Sequence, residues 1–173
     1  WNESAKTGHK KAQLYLAACY DLGYGVEKNI SEAFNLYLKL AEQGAPDAQY
    51  NIGFFYKKGE YVNQDYEKAV YWYSLAAIQG DPNAQRDLGY CYFYGQGVEQ
   101  NQAKAVHWYK KAALKNDTKA LYNLGLCYEF GEGVNQSYRW AKHYFSKASS
   151  LGHKKSKNKL KKLGKISQTQ SNL

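Results

Sequence analysis

Residues 88–99 read LGYCYFYGQGVE, placing Cys91 four residues before a Gly-Gln-Gly turn. A glycine-rich loop can cradle a phosphate with its backbone N–H groups, and a deprotonated thiol is a nucleophile or a metal ligand. The other residues with that potential are Cys19, Cys127 and four histidines, His9, His107, His143 and His153. Their spacing argues for something plainer. No two histidines stand four residues apart, and neither HExxH nor CxxC occurs, so no metal site is expected. The acidic residues are read as scattered singly over solvent-facing positions, without the paired carboxylates that acid–base catalysis uses. The expectation is therefore no catalytic residue and no cofactor.

The loop is explained by the elements around it. Offsetting the chain by 36 residues brings Gly23, Gly59, Gly95 and Gly131 into register, together with Val26, Val62, Val98 and Val134. Ala12, Ala48, Ala84 and Ala120 recur at the same interval, as do Tyr20, Tyr56, Tyr92 and Tyr128. Four repeats follow, at 12–47, 48–83, 84–119 and 120–155, with 1–11 as the end of a truncated preceding repeat. A phosphate loop joins a strand to a helix, and one copy suffices. Here GYGV, GEYV, GQGV and GEGV fill one place in four units, with Tyr61 once replacing the second glycine. The loop is a structural turn.

Each unit reads as two helices. Ala48, Ile52, Phe55 and Tyr56 fall at i, i+4, i+7 and i+8, one stripe of an α-helix, and Gly59 stands just past its end. Asn29, Asp65, Asn101 and Ser137 are good N-caps for the second helix, whose stripe is Ala69, Trp72, Tyr73, Ala76 and Ala77. Asp81 caps the next unit, with Pro82 at its first helical position. Two short helices cannot bury their stripes alone, so neighbouring units must stack into a solenoid. Cys19, Cys91 and Cys127 share one position on the first helix's buried stripe, where the second repeat has Phe55. Stacked equivalents stand on the order of 10 Å apart, beyond the about 7 Å that a disulfide spans. They are read as packing residues.

The segment AQYNIGFFYKKGEYVNQDYEKAVYWYSLAAIQG, residues 48–80, closely resembles the Sel1-like repeat, a relative of the tetratricopeptide repeat. The resemblance covers residues 1–155. It implies an all-α, right-handed α/α superhelical solenoid of 36-residue helix-turn-helix repeats, acting as a scaffold. In that family the first helices line a concave surface that binds proteins. Some secreted members carry a cysteine pair in each repeat and are associated with penicillin binding. This chain has at most one cysteine per repeat, so that activity is not carried over.

A face turned away from the core should be polar. At about 100° per residue, Tyr50, Phe54 and Lys57 point opposite the buried stripe of their helix. The same places hold Arg86, Tyr90 and Phe93, with Tyr94 adjacent, and then Tyr122, Leu126 and Glu129. Tyr, Phe and Arg are enriched at interaction hot spots. Tyr50, Phe54, Arg86, Tyr90, Phe93, Tyr94 and Tyr122 are therefore the expected anchors for a protein or peptide. Asp87 and Asn123 lie toward one edge as groups to bond its backbone.

Of the net charge of +9, seven lysines fall in KKSKNKLKKLGK, residues 154–165, and residues 1–153 carry 17 basic against 15 acidic side chains. A nucleic-acid-binding domain more often spreads its charge over a folded face, so no nucleic acid is expected. Residues 156–164 read as a basic capping helix and 165–173 as a disordered tail. The lysines offer a site for an acidic partner, and nucleic acid or an anionic membrane is the rival for it. Leu160 and Leu163 alone make a poor membrane helix. The other rival is an enzyme, or a module of one such as a cell-wall or β-lactam hydrolase, whose nucleophile–base constellation does not appear in this sequence. Nothing approaches 18 consecutive apolar residues, and a chain without methionine that opens WNESAKTGHKK reads as a processed product or a fragment.

Overall fold

The computed structural model describes residues 9–170, with side chains as far as Leu163. The described residues form nine helices and no strand: α1 (Lys10–Leu22), α2 (Ile30–Glu42), α3 (Pro46–Lys58), α4 (Tyr66–Ile78), α5 (Pro82–Tyr94), α6 (Gln102–Leu114), α7 (Thr118–Phe130), α8 (Tyr138–Ser150) and α9 (Lys154–Gln170). None is long and apolar enough to cross a membrane. The chain divides into two compact units, Trp1–Ala84 and Gln85–Leu173. In the first, α1 packs on α2, α2 on α3 and α3 on α4; in the second, α6 packs on α7, α7 on α8 and α8 on α9.

The helix starts follow from their caps. Asn29, Asp65, Asn101 and Ser137 accept from the backbone N–H of Glu32, Lys68, Lys104 and Trp140, and Asp81 accepts from Ala84. Each satisfies one of the donors that a helix start leaves free. The turns follow from their glycines. Gly59 ends α3 at φ +73°, and the turn closes when Asp65 N–H donates to the Tyr56 carbonyl at 2.9 Å. Tyr61 takes φ +69°, a conformation that suits glycine. Its ring lies 5.2 Å from Phe34 and its hydroxyl 3.0 Å from Ser31 Oγ, contacts that offset the strain. Gln64, Gln100 and Gln136 each donate a side-chain N–H to the end of the helix before the turn, at the carbonyls of Lys57, Phe93 and Glu129.

Close helix approach rests on small residues. Gly53, Gly89 and Gly125 sit inside α3, α5 and α7, each against a ring of the following helix: Tyr73, Tyr109 and Phe145. A Cβ at Gly53 or Gly89 would lie 2.7 Å from the ring it faces, closer than any such contact allows. Buried alanines, among them Ala48, Ala76, Ala84 and Ala112, complete these contacts. Cys91 and Cys127 are buried, Cys19 is half-buried, and all three are free thiols.

The last helix differs from its sequence reading. It starts at Lys154 and runs to Gln170, beyond both bounds of the helix expected over 156–164. An internal glycine costs a helix about 1 kcal/mol relative to alanine, which weakens a helix without stopping it. Residues 1–8, most of the leading partial repeat, and residues 171–173 lie outside the described residues.

Candidate functional site

In the second unit, α5, α6 and α7 leave an open cavity of about 300 Å³. Tyr90, Phe93 and Tyr94 of α5 form one wall, and Asn123, Leu126 and Phe130 of α7 the other. Tyr109 and Cys127, both almost fully buried, make the floor, and Glu132 of the following turn stands at one end. The wall aromatics brace each other, with ring centroids 4.5 Å apart for Tyr90–Tyr94 and 4.9 Å for Phe93–Tyr94. Tyr94 is 57% exposed, so its ring offers apolar area to whatever enters.

Four of the nine expected binding residues thus share one cavity: Tyr90, Phe93, Tyr94 and Asn123. The other second-unit candidates are engaged nearby. Arg86 Nε lies 3.0 Å from Asp87 Oδ1, and its Nη1 lies 3.0 Å from Asp117 Oδ2, with all three side chains nearly buried. Asp117 also caps α7 by accepting from Ala120 N–H at 2.7 Å. Acids read as singly scattered and solvent-facing therefore include a paired, mostly buried set, because an aspartate at a helix start 31 residues from Arg86 comes within reach of its guanidinium. The Tyr122 ring packs 5.6 Å from Phe145 and 4.9 Å from His153. In the first unit, Tyr50 stacks on Tyr73 at 5.7 Å and lies 6.5 Å from Phe54, over which Lys58 Nζ stands at 5.6 Å.

Tyr109, Cys127 and Glu132 escaped the sequence reading of the site. Tyr109 lies on a second helix, whose inward face was assigned wholly to the core. The signal that would have found it is Gly89, a recurrent helical glycine that opens room for the opposing ring. Burial, and then the neighbouring Glu132 carboxylate, push the Cys127 thiol up to about 12. It is protonated at neutral pH and a weak nucleophile. Burial likewise raises Tyr109 far above the usual phenol range. Among the described residues, no group of three or more His, Cys, Asp or Glu side chains is arranged to hold a metal ion.

An ion pair borders the cavity beside Phe130. Lys159 of α9 bonds both oxygens of Glu129, the nearer at 2.7 Å, and stands 5.1 Å over the ring of Phe130.

The Sel1 repeat family model matches residues 10–44, 46–81, 82–117 and 118–153. The chain belongs to the Sel1 repeat family. There are four matches, each beginning two residues before a boundary read from the 36-residue period. Among solved structures, a protective antigen of uropathogenic Escherichia coli strains with the SLR fold superposes with a TM-score of 0.87 at 38% identity. That match covers 92% of this chain and 34% of the antigen. A Sel1 repeat protein from Oxalobacter formigenes gives a TM-score of 0.83 at 36% identity, covering 88% of this chain and 61% of its own. Helicobacter pylori cysteine rich protein B gives 0.60 at 26% identity, covering 76% and 94%. The chain spans about a third and three fifths of the first two relatives. A search of curated proteins gave no match. The fold is thus the all-α Sel1 repeat solenoid class, and Sel1 repeats generally act as non-enzymatic scaffolds for protein–protein interaction.

Proposed function

We propose that this chain is a non-enzymatic adaptor that captures a protein or peptide on the face formed by the first helix of each repeat. The observation that carries the reading is the aromatic cavity of the second unit. Its walls are mostly Tyr and Phe, residue types that supply much contact area for little ordering entropy. Its volume suits one large side chain of a partner, with Asn123 at hand for a polar group. Tyr90, Phe93, Tyr94 and Asn123 make direct contact in this reading, and Tyr50 and Phe54 present the same chemistry on the first unit. Arg86, Asp87 and Tyr122 hold the surrounding helices in place. The protonated Cys127 thiol on the cavity floor favours a binding pocket over a thiol enzyme.

The test is affinity capture with the wild-type chain and a Tyr90→Ala/Tyr94→Ala variant of matching circular dichroism. Partners retained by wild type and lost by the variant support the cavity as the binding site. An identical set of partners from both proteins overturns it.

A further inference from the structure

The two units differ sharply in charge. Residues 85–173 carry sixteen basic and five acidic side chains, whereas residues 1–84 carry eight and ten. Four of those five acids are accounted for within the second unit or its turns: Asp87 and Asp117 face Arg86, Glu129 faces Lys159, and Glu132 stands at the cavity end. No acidic residue follows Glu132. On α9, Lys154, Lys155, Lys157, Lys161 and Lys162 are exposed.

Their placement matters more than their number. Lys159 fixes one face of α9 to the cavity rim through Glu129 and Phe130. Residues four before and three after it share that face of a helix. Lys155, Lys159 and Lys162 therefore form a stripe along α9, with Lys159, the one beside the cavity, in its middle. Glu132 stands at the turn after α7 and lines the cavity, and Lys159 stands over Phe130, another lining residue, so the lysine-bearing face of α9 adjoins the cavity.

From this we infer that the partner is an acidic protein segment: one aromatic or branched aliphatic side chain enters the cavity, and neighbouring carboxylates lie along Lys155 and Lys162. The inference rests on the proposed function and adds the partner's chemistry to it. Electrostatic complementarity of this kind sets encounter rate and register, and the buried anchor sets residence time. A single-stranded nucleic acid would want cations tracking its backbone on both sides of the aromatic platform. Here Glu132 would oppose its phosphates on one side, so the geometry favours a peptide.

The experiment is a selection of random twelve-residue peptides on the whole chain, followed by anisotropy titrations of the enriched peptides at low and high salt. The expected result is a set of peptides with several Asp or Glu beside one large apolar residue. Their binding should weaken about tenfold or more with Lys155→Glu/Lys162→Glu, a pair that leaves the Lys159–Glu129 contact untouched. It should weaken similarly with Tyr90→Ala/Tyr94→Ala. Neutral or basic peptides that depend on Tyr90 and Tyr94 overturn the acidic partner and leave the cavity reading standing. Acidic peptides indifferent to Tyr90 and Tyr94 overturn both. A single-stranded oligonucleotide that binds more tightly than every selected peptide, and is lost with the same lysine pair, overturns the inference in favour of nucleic acid. A selection that enriches nothing overturns it as well.

Discussion

Helices α3 and α5 hold equivalent places in the two units, yet they end differently. Lys57 and Lys58 close α3, and Lys58 stands over Phe54. Phe93 and Tyr94 occupy those positions in α5, and beside them a cavity remains open. The backbone devices are the same in both units: a helical glycine against a ring, a left-handed glycine at the turn, and a glutamine tying the turn to the helix end. The repeat therefore supplies a frame, and the positions it leaves free decide whether a stretch of frame presents a ring beside a lysine or a cavity walled by rings.

The largest test concerns what the units share. Valine at Gly53 or at Gly89 should destabilise by about 3 kcal/mol each, since the added carbons must displace Tyr73 or Tyr109 from a packed interface. Alanine should cost less. The first repeat already carries buried Ala17 at this position, in a repeat whose corresponding ring is Tyr37. Urea midpoints at constant slope measure both. Equal losses in the two units would confirm that the glycine–ring contact belongs to the frame. A loss confined to one unit would break the equivalence.

That frame was legible in the sequence to the extent that it repeats. Asn29, Asp65, Asn101 and Ser137 cap helices as their spacing predicts, and Ala48, Ile52 and Phe55 are buried as a stripe. Gly53, Gly89 and Gly125 carry the same period, but a glycine inside a helix reads as a weakness until the opposing ring is known. The site was harder. A helical wheel places Tyr90 and Phe93 on the free face, as the cavity walls require. It has no knowledge of Asp117 and so presents Arg86 as an open cation, when its guanidinium is held by two carboxylates. Contacts made across 30 or so residues depend on how helices meet, and one helix's periodicity does not record that.

The ion pairs give the next test, through the starts of α3 and α7. Ala45 precedes α3 with no side-chain cap, whereas Asp117 caps α7 and also holds Arg86. Asp117→Ala makes the second unit resemble the first at this point. It should cost about 1 kcal/mol for the cap and roughly 1–2 kcal/mol more for the guanidinium that loses this carboxylate, less than for a fully buried pair because water still reaches it. Adding Arg86→Leu, which matches Leu14 of the first repeat, together with Asp87→Asn, which matches Asn51 and Asn123, should recover the second part and leave the cap loss. A thermal or urea series on the two variants separates these contributions. Full recovery by the leucine would mean that the cap contributes nothing.

The smallest expected effect distinguishes the last helix start from those before it. His153 occupies the place that Asp81 and Asp117 hold in earlier repeats, and its Nδ1 accepts from Ser156 N–H at 3.3 Å and lies 2.9 Å from Ser156 Oγ. Burial, and then the nearby Lys155 and Lys119, hold its pKa below the ordinary histidine value, while Asp117 opposes them. A histidine depressed in the folded state is protonated more readily in the unfolded one. Its contribution is therefore complete above the ordinary value of about 6.5 and declines as pH falls through it toward the folded value. Protonation also places a hydrogen on the nitrogen that accepts from Ser156, so the cap is lost with the charge change. His153→Asp restores the arrangement of the earlier repeats and should keep its urea midpoint between about pH 7.5 and about pH 5.5 better than wild type does. His153→Ala should lose about 1 kcal/mol at the higher pH and show less of the acid-dependent decline. Parallel pH profiles for wild type and His153→Asp would remove His153 as the source. The cap of the basic helix would then contribute nothing to the pH dependence of stability.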